Sequence, residues 1–229
     1  MRSLSRWIMP AVMSALSVTQ YSWAASMDQT TKLAPQPEKE WTFLVFLNGH
    51  NNLDTFGAKD INEMEQAGSS NQVNIVVQWA SLNNQKTKRL YVTRDNDISK
   101  VNSTVIEEMS PVDMGDYHNL VEFVRWGAEH FPAKRYFVDV WNHGSGWHNL
   151  KRGGIGVLDI SHDDLTGHKI STVELGMAME DASKAIGKPI EVYGSDACLM
   201  QMAEVAAEMY GSVNYFVGSQ ELEQGEGWA

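Results

Sequence analysis

The sequence contains 229 residues, of which 43% are hydrophobic and 21% are charged. These fractions are typical of a globular protein, so collagen-like, disulfide-scaffold and intrinsically disordered chains are excluded. Lysine and arginine total 18 against 29 aspartate and glutamate residues, which gives a formal net charge of −11 and argues against nucleic acid and anionic membrane surfaces as partners.

Residues 1–24 have the pattern of a secretory signal peptide. Arg2 and Arg6 precede a short hydrophobic run, and small residues stand at the −3 and −1 positions of an expected cleavage after Ala24. The run is shorter than the ~20 residues that a membrane span requires, and an uncleaved anchor is the alternative. We expect a secreted or periplasmic protein with a flexible lead-in, residues 25–40, and no membrane association after signal removal.

Short β-rich runs alternate with helical patterns from residue 41 onward. The predicted strands are 41–47, 73–79, 89–93, 136–141, 155–158, 190–193 and 215–217. The predicted helices are 55–67, 119–129, 172–186 and 198–210. Several strand runs are continuously apolar, as in strands that are covered on both faces. The sequence therefore predicts an α/β fold with a mostly parallel sheet flanked by helices on both faces.

Two predicted strands end in residues that carry reactive side chains. Asn142, His143 and Gly144 follow the strand 136–141, and Asp196 and Cys198 follow the strand 190–193. In sheets of this kind, ligands bind beyond the carboxyl ends of the strands. We therefore expect these residues to meet at one edge of the sheet.

Cys198 is the one cysteine of the chain, and an unpaired cysteine in an exported protein is a candidate reactive thiol. We predict that the fourth helix begins at Cys198, because the unsatisfied N–H groups of a helix N-terminus stabilise a thiolate. The alternative is a small buried hydrophobic side chain, which is the usual state of a free cysteine.

A thiolate nucleophile needs a partner that protonates the leaving amine, and histidine does this near neutral pH. Of seven histidines, His143 alone directly follows a predicted buried strand and precedes a glycine. The N–H groups of Gly144 and Cys198 would then form an oxyanion hole. A structural imidazole is the alternative for His143. Other loop histidines are expected to be exposed: His148, His162 and His168.

Four blocks of sequence carry a further resemblance, and they occur at 43–54, 141–147, 195–200 and 217–221. They resemble the clostripain family of cysteine peptidases, which shares a caspase-like α/β/α sandwich with caspases, legumains and gingipains. The resemblance implies that Cys198 is the nucleophile, that His143 is the general acid, and that Asp196 lines the S1 pocket and selects Arg or Lys at P1. His50 departs from the acidic residue that is usual in the first block.

The resemblance also implies processing, calcium use and a longer chain. Family members often cut themselves between the histidine and the cysteine. The candidate sites here are Lys151, Arg152 and Lys169, and ordinary solvated loop charges are the alternative. Some members use calcium, but the acidic stretches 113–116 and 159–164 lack EF-hand spacing, so the sequence itself requires no metal or other cofactor. The family continues beyond residue 229, so residues 41–229 are expected to be an incomplete peptidase domain, truncated at the C-terminus.

Other enzyme classes lack their motifs in this sequence. No G-x-S-x-G nucleophile elbow is present, and neither an HExxH zinc motif nor a G-x-G-x-x-G dinucleotide motif occurs. The sequence favours a secreted cysteine endopeptidase that acts on proteins or peptides with Arg or Lys at P1. The alternative from another class is a secreted, non-catalytic binding module on the same fold.

Overall fold

The computed structural model describes residues 36–147, 159–225 and 227–228. Its strands are β1 (Lys39–Gly49), β2 (Val73–Ser81), β3 (Lys86–Tyr91), β4 (Thr104–Met109), β5 (Ala133–Trp141), β6 (Asp159–Ile160), β7 (Ile170–Ser171), β8 (Ile190–Asp196) and β9 (Val213–Gly218). Its helices are α1 (Asp54–Ala67), α2 (Tyr117–His130), α3 (Thr172–Ile186) and α4 (Ala203–Glu208). The predicted signal peptide, 1–24, and the predicted strand 155–158 lie outside the described residues.

β1 lies in the middle of a seven-stranded sheet of order β4-β3-β2-β1-β5-β8-β9. It pairs in parallel with β2 and β5, and β8 pairs in parallel with β5 and β9. β3 and β4 add an antiparallel edge, while β6 and β7 form a separate two-stranded sheet. The prediction of a mostly parallel sheet is confirmed.

Helices pack on both faces of the sheet, and each strand sends alternate residues to the two faces. On β1, Leu44 and Phe46 pack in the core that includes residues of α2, α3 and α4. Val45 and Leu47 point the other way, into the core that includes residues of α1. The predicted layering of helix, sheet and helix is therefore confirmed.

The ends of α3 follow from local sequence, as predicted. Ser171 accepts a hydrogen bond from the backbone N–H of Glu174, whose carboxylate accepts one from the Ser171 N–H, and this reciprocal pair is a capping box. Gly187 ends the helix at φ 80°, a left-handed conformation that glycine adopts without steric cost. Asp116 caps α2 by accepting from the N–H of His118.

The prediction of the fourth helix is wrong at its N-terminus. α4 begins at Ala203 and not at Cys198. Leu199 has a φ of 62°, a left-handed conformation that an α-helix does not contain. Cys198 therefore lies in the loop between β8 and α4.

The antiparallel edge of the sheet is the other departure from prediction. The strand expected at 89–93 begins earlier, as β3, and β4 was not predicted. β4 pairs antiparallel with β3, and its Ile106 packs against the core. Two ion pairs join the strands: Glu107 with Arg89 at 3.1 Å and Glu108 with Lys88 at 3.6 Å. Cross-strand ion pairs stabilise a strand whose apolar pattern is weak.

At its N-terminal side, the described sheet begins with Lys39. The predicted lead-in, residues 25–40, therefore overlaps β1 by its last two residues. Within the described ranges, no helix has the length and apolar character that crossing a membrane requires.

Candidate active site

The neighbouring strands β1, β5 and β8 all run in the same direction, so their carboxyl ends share one edge of the sheet. Asn142, the residue after β5, connects the three ends. Its backbone N–H donates to the Asp196 carbonyl at 3.2 Å, and its side-chain amide donates to the Asn48 carbonyl at 2.7 Å. His143 therefore extends from a strand end that is tied on both sides.

His143, Asp196 and Cys198 line the same cleft, which has a volume of about 340 Å³. Its other walls come from Leu53, Trp141, Asn142, Ala197, Gly227 and the segment 222–225. The structure thus brings together the three side chains that the sequence singled out, on the edge of the sheet where the strand directions predicted them.

The surroundings of the Cys198 sulfur differ from those predicted. Because α4 begins five residues later, the thiol does not lie at a helix N-terminus, and that prediction is wrong. The sulfur instead accepts a hydrogen bond from the backbone N–H of Glu223 at 3.3 Å. The next residue, Leu199, donates its N–H to the Glu221 carbonyl at 3.0 Å, so the cysteine loop and the segment 221–223 hold each other in place.

The His143 imidazole is half-buried at the mouth of the cleft. Its Nε2 lies 2.7 Å from Oδ1 of Asn52, which accepts a hydrogen bond from the Nε2–H of the neutral ring. Burial holds the pKa of His143 below its usual value, the neighbouring His162 adds to this effect, and Asp164 opposes it. The ring is therefore neutral near pH 7, with Nδ1 as its acceptor atom.

Gly144 allows the histidine loop to approach the cysteine loop closely. A Cβ at position 144 would lie 2.7 Å from the Cys198 carbonyl oxygen and 2.9 Å from the Ala197 side chain. Gly144 also forms an isolated antiparallel bridge with Ile160. The hydrogen bonds of this bridge are made by the neighbouring residues: the Ser145 N–H donates to the Asp159 carbonyl and the Ser161 N–H to the His143 carbonyl. In such a pair the N–H of the bridged residue points away from the partner strand, so the Gly144 N–H does not point at β6.

Three carboxyl groups are buried within range of one another's charge, and one of them, that of Asp196, lines the cleft. Asp196 is 8% exposed, and Asp139 on β5 and Asp60 on α1 are 6% and 4% exposed. Burial raises the pKa of Asp196 to about 7, with Glu223 adding to the rise and the Trp228 N–H opposing it. Burial and the charge of Asp196 also raise the pKa of Asp60 to about 7, and raise that of Asp139 well above its usual range.

The burial of Asp196 in the cleft wall bears on which charges the cleft could accept. A buried carboxylate is costly unless a cation neutralises it. A cationic side chain that enters the cleft would allow Asp196 to ionise and would gain a charge-assisted hydrogen bond. An anionic side chain would meet repulsion there.

Of the three candidate cleavage sites, Lys169 alone lies among the described residues. Lys151 and Arg152 lie outside the described residues. The Lys169 ammonium lies 2.9 Å from the carboxylate of Asp159, which is completely buried. Lys169 is thus anchored in an ion pair immediately before β7.

Sequence reasoning missed the environment of His162. This residue was predicted to be exposed, but its side chain is 35% exposed and its Nε2 pairs with the buried Asp159. The ring centroid of His162 lies 6.1 Å from that of His143, with the two rings near perpendicular. The sequence did contain a signal for this contact, because acidic residues and a histidine alternate closely within 159–164. His168 is exposed, as predicted.

Two carboxylates of the acidic stretch 159–164, those of Asp159 and Asp163, are paired with protein groups. Asp159 binds Lys169. Asp163 accepts from the buried His50 ring at 2.8 Å and from a backbone N–H. Over the described ranges, no group of three or more histidine, cysteine or acidic side chains has the arrangement of a metal site. These residues therefore do not fit calcium.

Comparison with known proteins agrees with this fold. The clostripain family matches residues 45–229, and no curated protein matches. A secreted C11 cysteine protease from Bacteroides thetaiotaomicron, solved with an irreversible peptide inhibitor, is 26% identical, with a TM-score of 0.65 over 82% of this chain and 51% of that chain.

Two further solved structures show the fold alone. Iotapain, a secreted C11 cysteine protease of Bacteroides thetaiotaomicron, is 16% identical, with a TM-score of 0.65 over 84% of this chain and 55% of that one. An inactive zymogen C11 protease from Parabacteroides distasonis is 21% identical, with a TM-score of 0.61 over 84% and 52%. This chain spans about half the length of each solved protein. Because the family match covers most of the sequence, the chain belongs to the clostripain family.

Proposed function

We propose that the protein is a cysteine endopeptidase that cleaves after Arg or Lys with a Cys198–His143 dyad. The observation that carries the proposal is that the thiol, the imidazole and the Asp196 carboxyl group line one cleft. A thiol alone is reactive towards many electrophiles. A thiol beside an imidazole and a buried acid has the parts needed for acyl transfer from a basic residue.

In the proposed reaction, the Cys198 sulfur attacks the scissile carbonyl carbon, and neutral His143 accepts the thiol proton. The backbone N–H groups of Gly144 and Cys198 stabilise the oxyanion. His143 then donates its proton to the leaving amine, which leaves a thioester on Cys198. Water attacks the thioester with His143 as general base, which releases the acid product and restores the thiol.

The proposed substrates are proteins or peptides with a basic P1 residue. Asp196 lies in the wall of the cleft, and the carboxyl groups of Asp60 and Asp139 are close enough for their charges to interact with it. The Asp196 carboxyl group favours a cationic side chain in a partly dry pocket. Secretion is part of the proposal and is supported by the signal-peptide pattern of residues 1–24 and by the secreted relatives.

Self-cleavage is proposed at Lys151 or Arg152 in preference to Lys169. The first two stand in a basic sequence followed by two glycines, whereas the Lys169 side chain is held by Asp159. N-terminal sequencing of the purified chain should find a new terminus after residue 151 or 152. A new terminus after Lys169, or an uncut chain that hydrolyses an arginyl substrate, would contradict this order.

Covalent labelling tests the proposed function. A peptidyl chloromethyl ketone with Arg at P1 should add one inhibitor to the full chain, at Cys198, as read by intact mass and peptide mapping. The same reagent with Glu at P1 should add none. Asp196→Asn should remove the discrimination, and His143→Gln should lower the labelling rate by about 10²–10⁴-fold. His168→Gln, which changes an exposed histidine, is the matched control. A folded chain that takes up no inhibitor would support the binding module instead.

A further inference from the structure

His162 is held by a contact of its ring and by hydrogen bonds of its backbone. Its ring pairs through Nε2 with Asp159, the first residue of β6, which is completely buried and also binds Lys169. Its backbone N–H donates to Oδ1 of Asn142 at 2.7 Å. Its carbonyl oxygen accepts from the Asn48 and Asn51 amides at 2.9 and 2.7 Å. The segment that carries His162 is therefore tied to the ends of β1 and β5.

These contacts fix the His162 ring relative to His143. Asn142 directly precedes His143, so the hydrogen bond from His162 ties the two histidines together at the backbone. The rings stand 6.1 Å apart at 67°, which brings the edge of one ring against the face of the other. When the His162 ring carries a proton, it places a positive charge at this distance from His143, and that charge lowers the pKa of His143.

Among the described residues, the groups near His143 come from two loops and from the opposite wall of the cleft. Asn52, in the β1–α1 loop, is neutral and lies on Nε2. His162 and Asp164 come from the loop between β6 and β7, with opposite effects on the charge of His143. Cys198 faces it across the cleft. Of these neighbours, His162 is the group whose charge adds to the effect of burial in lowering the pKa of His143.

We infer that His162 is a positioning residue of the dyad. Held by Asp159 and Asn142, its imidazole, when protonated, favours the neutral His143 ring in the orientation in which Nε2 meets Asn52. This inference rests on the proposed function for its catalytic meaning. Its physical content, a coupling between two imidazoles, exists whether or not the chain cleaves peptides.

Two substitutions of His162 separate the effect of its charge from the effect of its contact with Asp159. His162→Gln keeps a donor for Asp159 but carries no charge, so the apparent pKa of His143 should rise by about 0.5–2 units, the range expected for a unit charge about 6 Å away at an effective dielectric constant between ~80 and ~20. His162→Lys keeps both the charge and the Asp159 contact, so it should leave that pKa near its wild-type value. His168→Gln changes a histidine of the same loop that binds Asp113 and is the matched control.

The pKa of His143 is read by NMR titration of the histidine side chains in the full chain, with His143→Gln used to assign the resonance. The acid limb of the pH profile of kcat/KM on an arginyl peptide is the second measurement, and it should move with the NMR value. If His162→Gln leaves the His143 titration where His168→Gln leaves it, the inference is overturned. If the titration shifts but no variant, wild type included, cleaves peptides, the coupling stands and the proposed function fails.

Discussion

Two buried acids, one of them in the cleft wall, make stability depend on pH. Asp60 and Asp196 have folded-state pKa values of about 7, well above the ordinary value in an unfolded chain. A raised carboxyl pKa contributes stability that is fully present below the unfolded pKa and is lost as pH rises through the folded pKa. The free energy of unfolding should therefore fall between about pH 4 and pH 8.

Asp60→Asn tests this account, because asparagine mimics the protonated acid. The variant does not share this loss, so its stability relative to wild type should rise by on the order of 1–3 kcal/mol between pH 5 and pH 8. Urea denaturation at both pH values measures the difference. Asp181→Asn, on the exposed face of α3, should change stability by less than about 0.5 kcal/mol. A benefit of Asp60→Asn that is the same at both pH values would contradict the account.

Gly144→Ala tests the close approach of the two loops. The added methyl group would stand 2.7 Å from the Cys198 carbonyl oxygen, so one loop must move away from the other. We expect Cys198 labelling by the arginyl chloromethyl ketone to slow by 10-fold or more, since small displacements of reacting groups are costly. Gly167→Ala, where the Cβ meets nothing within 4 Å, is the control for general strain. Equal labelling rates in the two variants would contradict the claim that Gly144 is needed for the close approach of the two loops.

At the residue scale, sequence alone predicts the members of the cleft but not their setting. His143 and Cys198 are found because each follows a strand of a parallel sheet. His162 is missed because Asp159, which holds it, lies on a two-residue strand. So short a strand has no hydrophobic period that a sequence can display.

Among the helices and strands, those whose ends are marked by capping residues in the sequence are predicted best. Ser171 and Glu174 define the start of α3 in the sequence and in the structure. Ser171→Ala should lower the free energy of unfolding by about 1–2 kcal/mol, because it removes the cap. Urea denaturation measures this loss. Ser183→Ala, an exposed serine of the same helix, should stay within about 0.5 kcal/mol of wild type, and an equal loss in both variants would contradict the capping argument.

The start of α4 was predicted wrongly for a physical reason. Leu199 stands at helical spacing from Met202 and Ala206, and this spacing extended the predicted helix back to Cys198. In the structure the residues before Ala203 form a loop that is held against the segment 219–221 by the hydrogen bonds of Leu199 and Gln201. Periodicity does not distinguish an apolar loop residue from the first turn of a helix.

For the whole molecule, the direction of the strands is what assembles the site. β1, β5 and β8 run parallel, so residues far apart in sequence, His143 and Cys198, reach one edge and one cleft. Strand and helix alternation predicts this arrangement. It does not predict the antiparallel β3–β4 edge, because the charged residues of β4 leave its sequence without a clear apolar pattern.

The most direct test of the central claim compares peptides with arginine and with citrulline at P1, since citrulline has nearly the same shape and no charge. If the thiol, the imidazole and the Asp196 carboxylate act together in one cleft, kcat/KM should favour arginine by about 10²-fold, the value of one charge-assisted hydrogen bond pair in a partly dry site. Asp196→Asn should reduce this preference to near unity. Equal cleavage of the two peptides by the wild-type protein would contradict the claim.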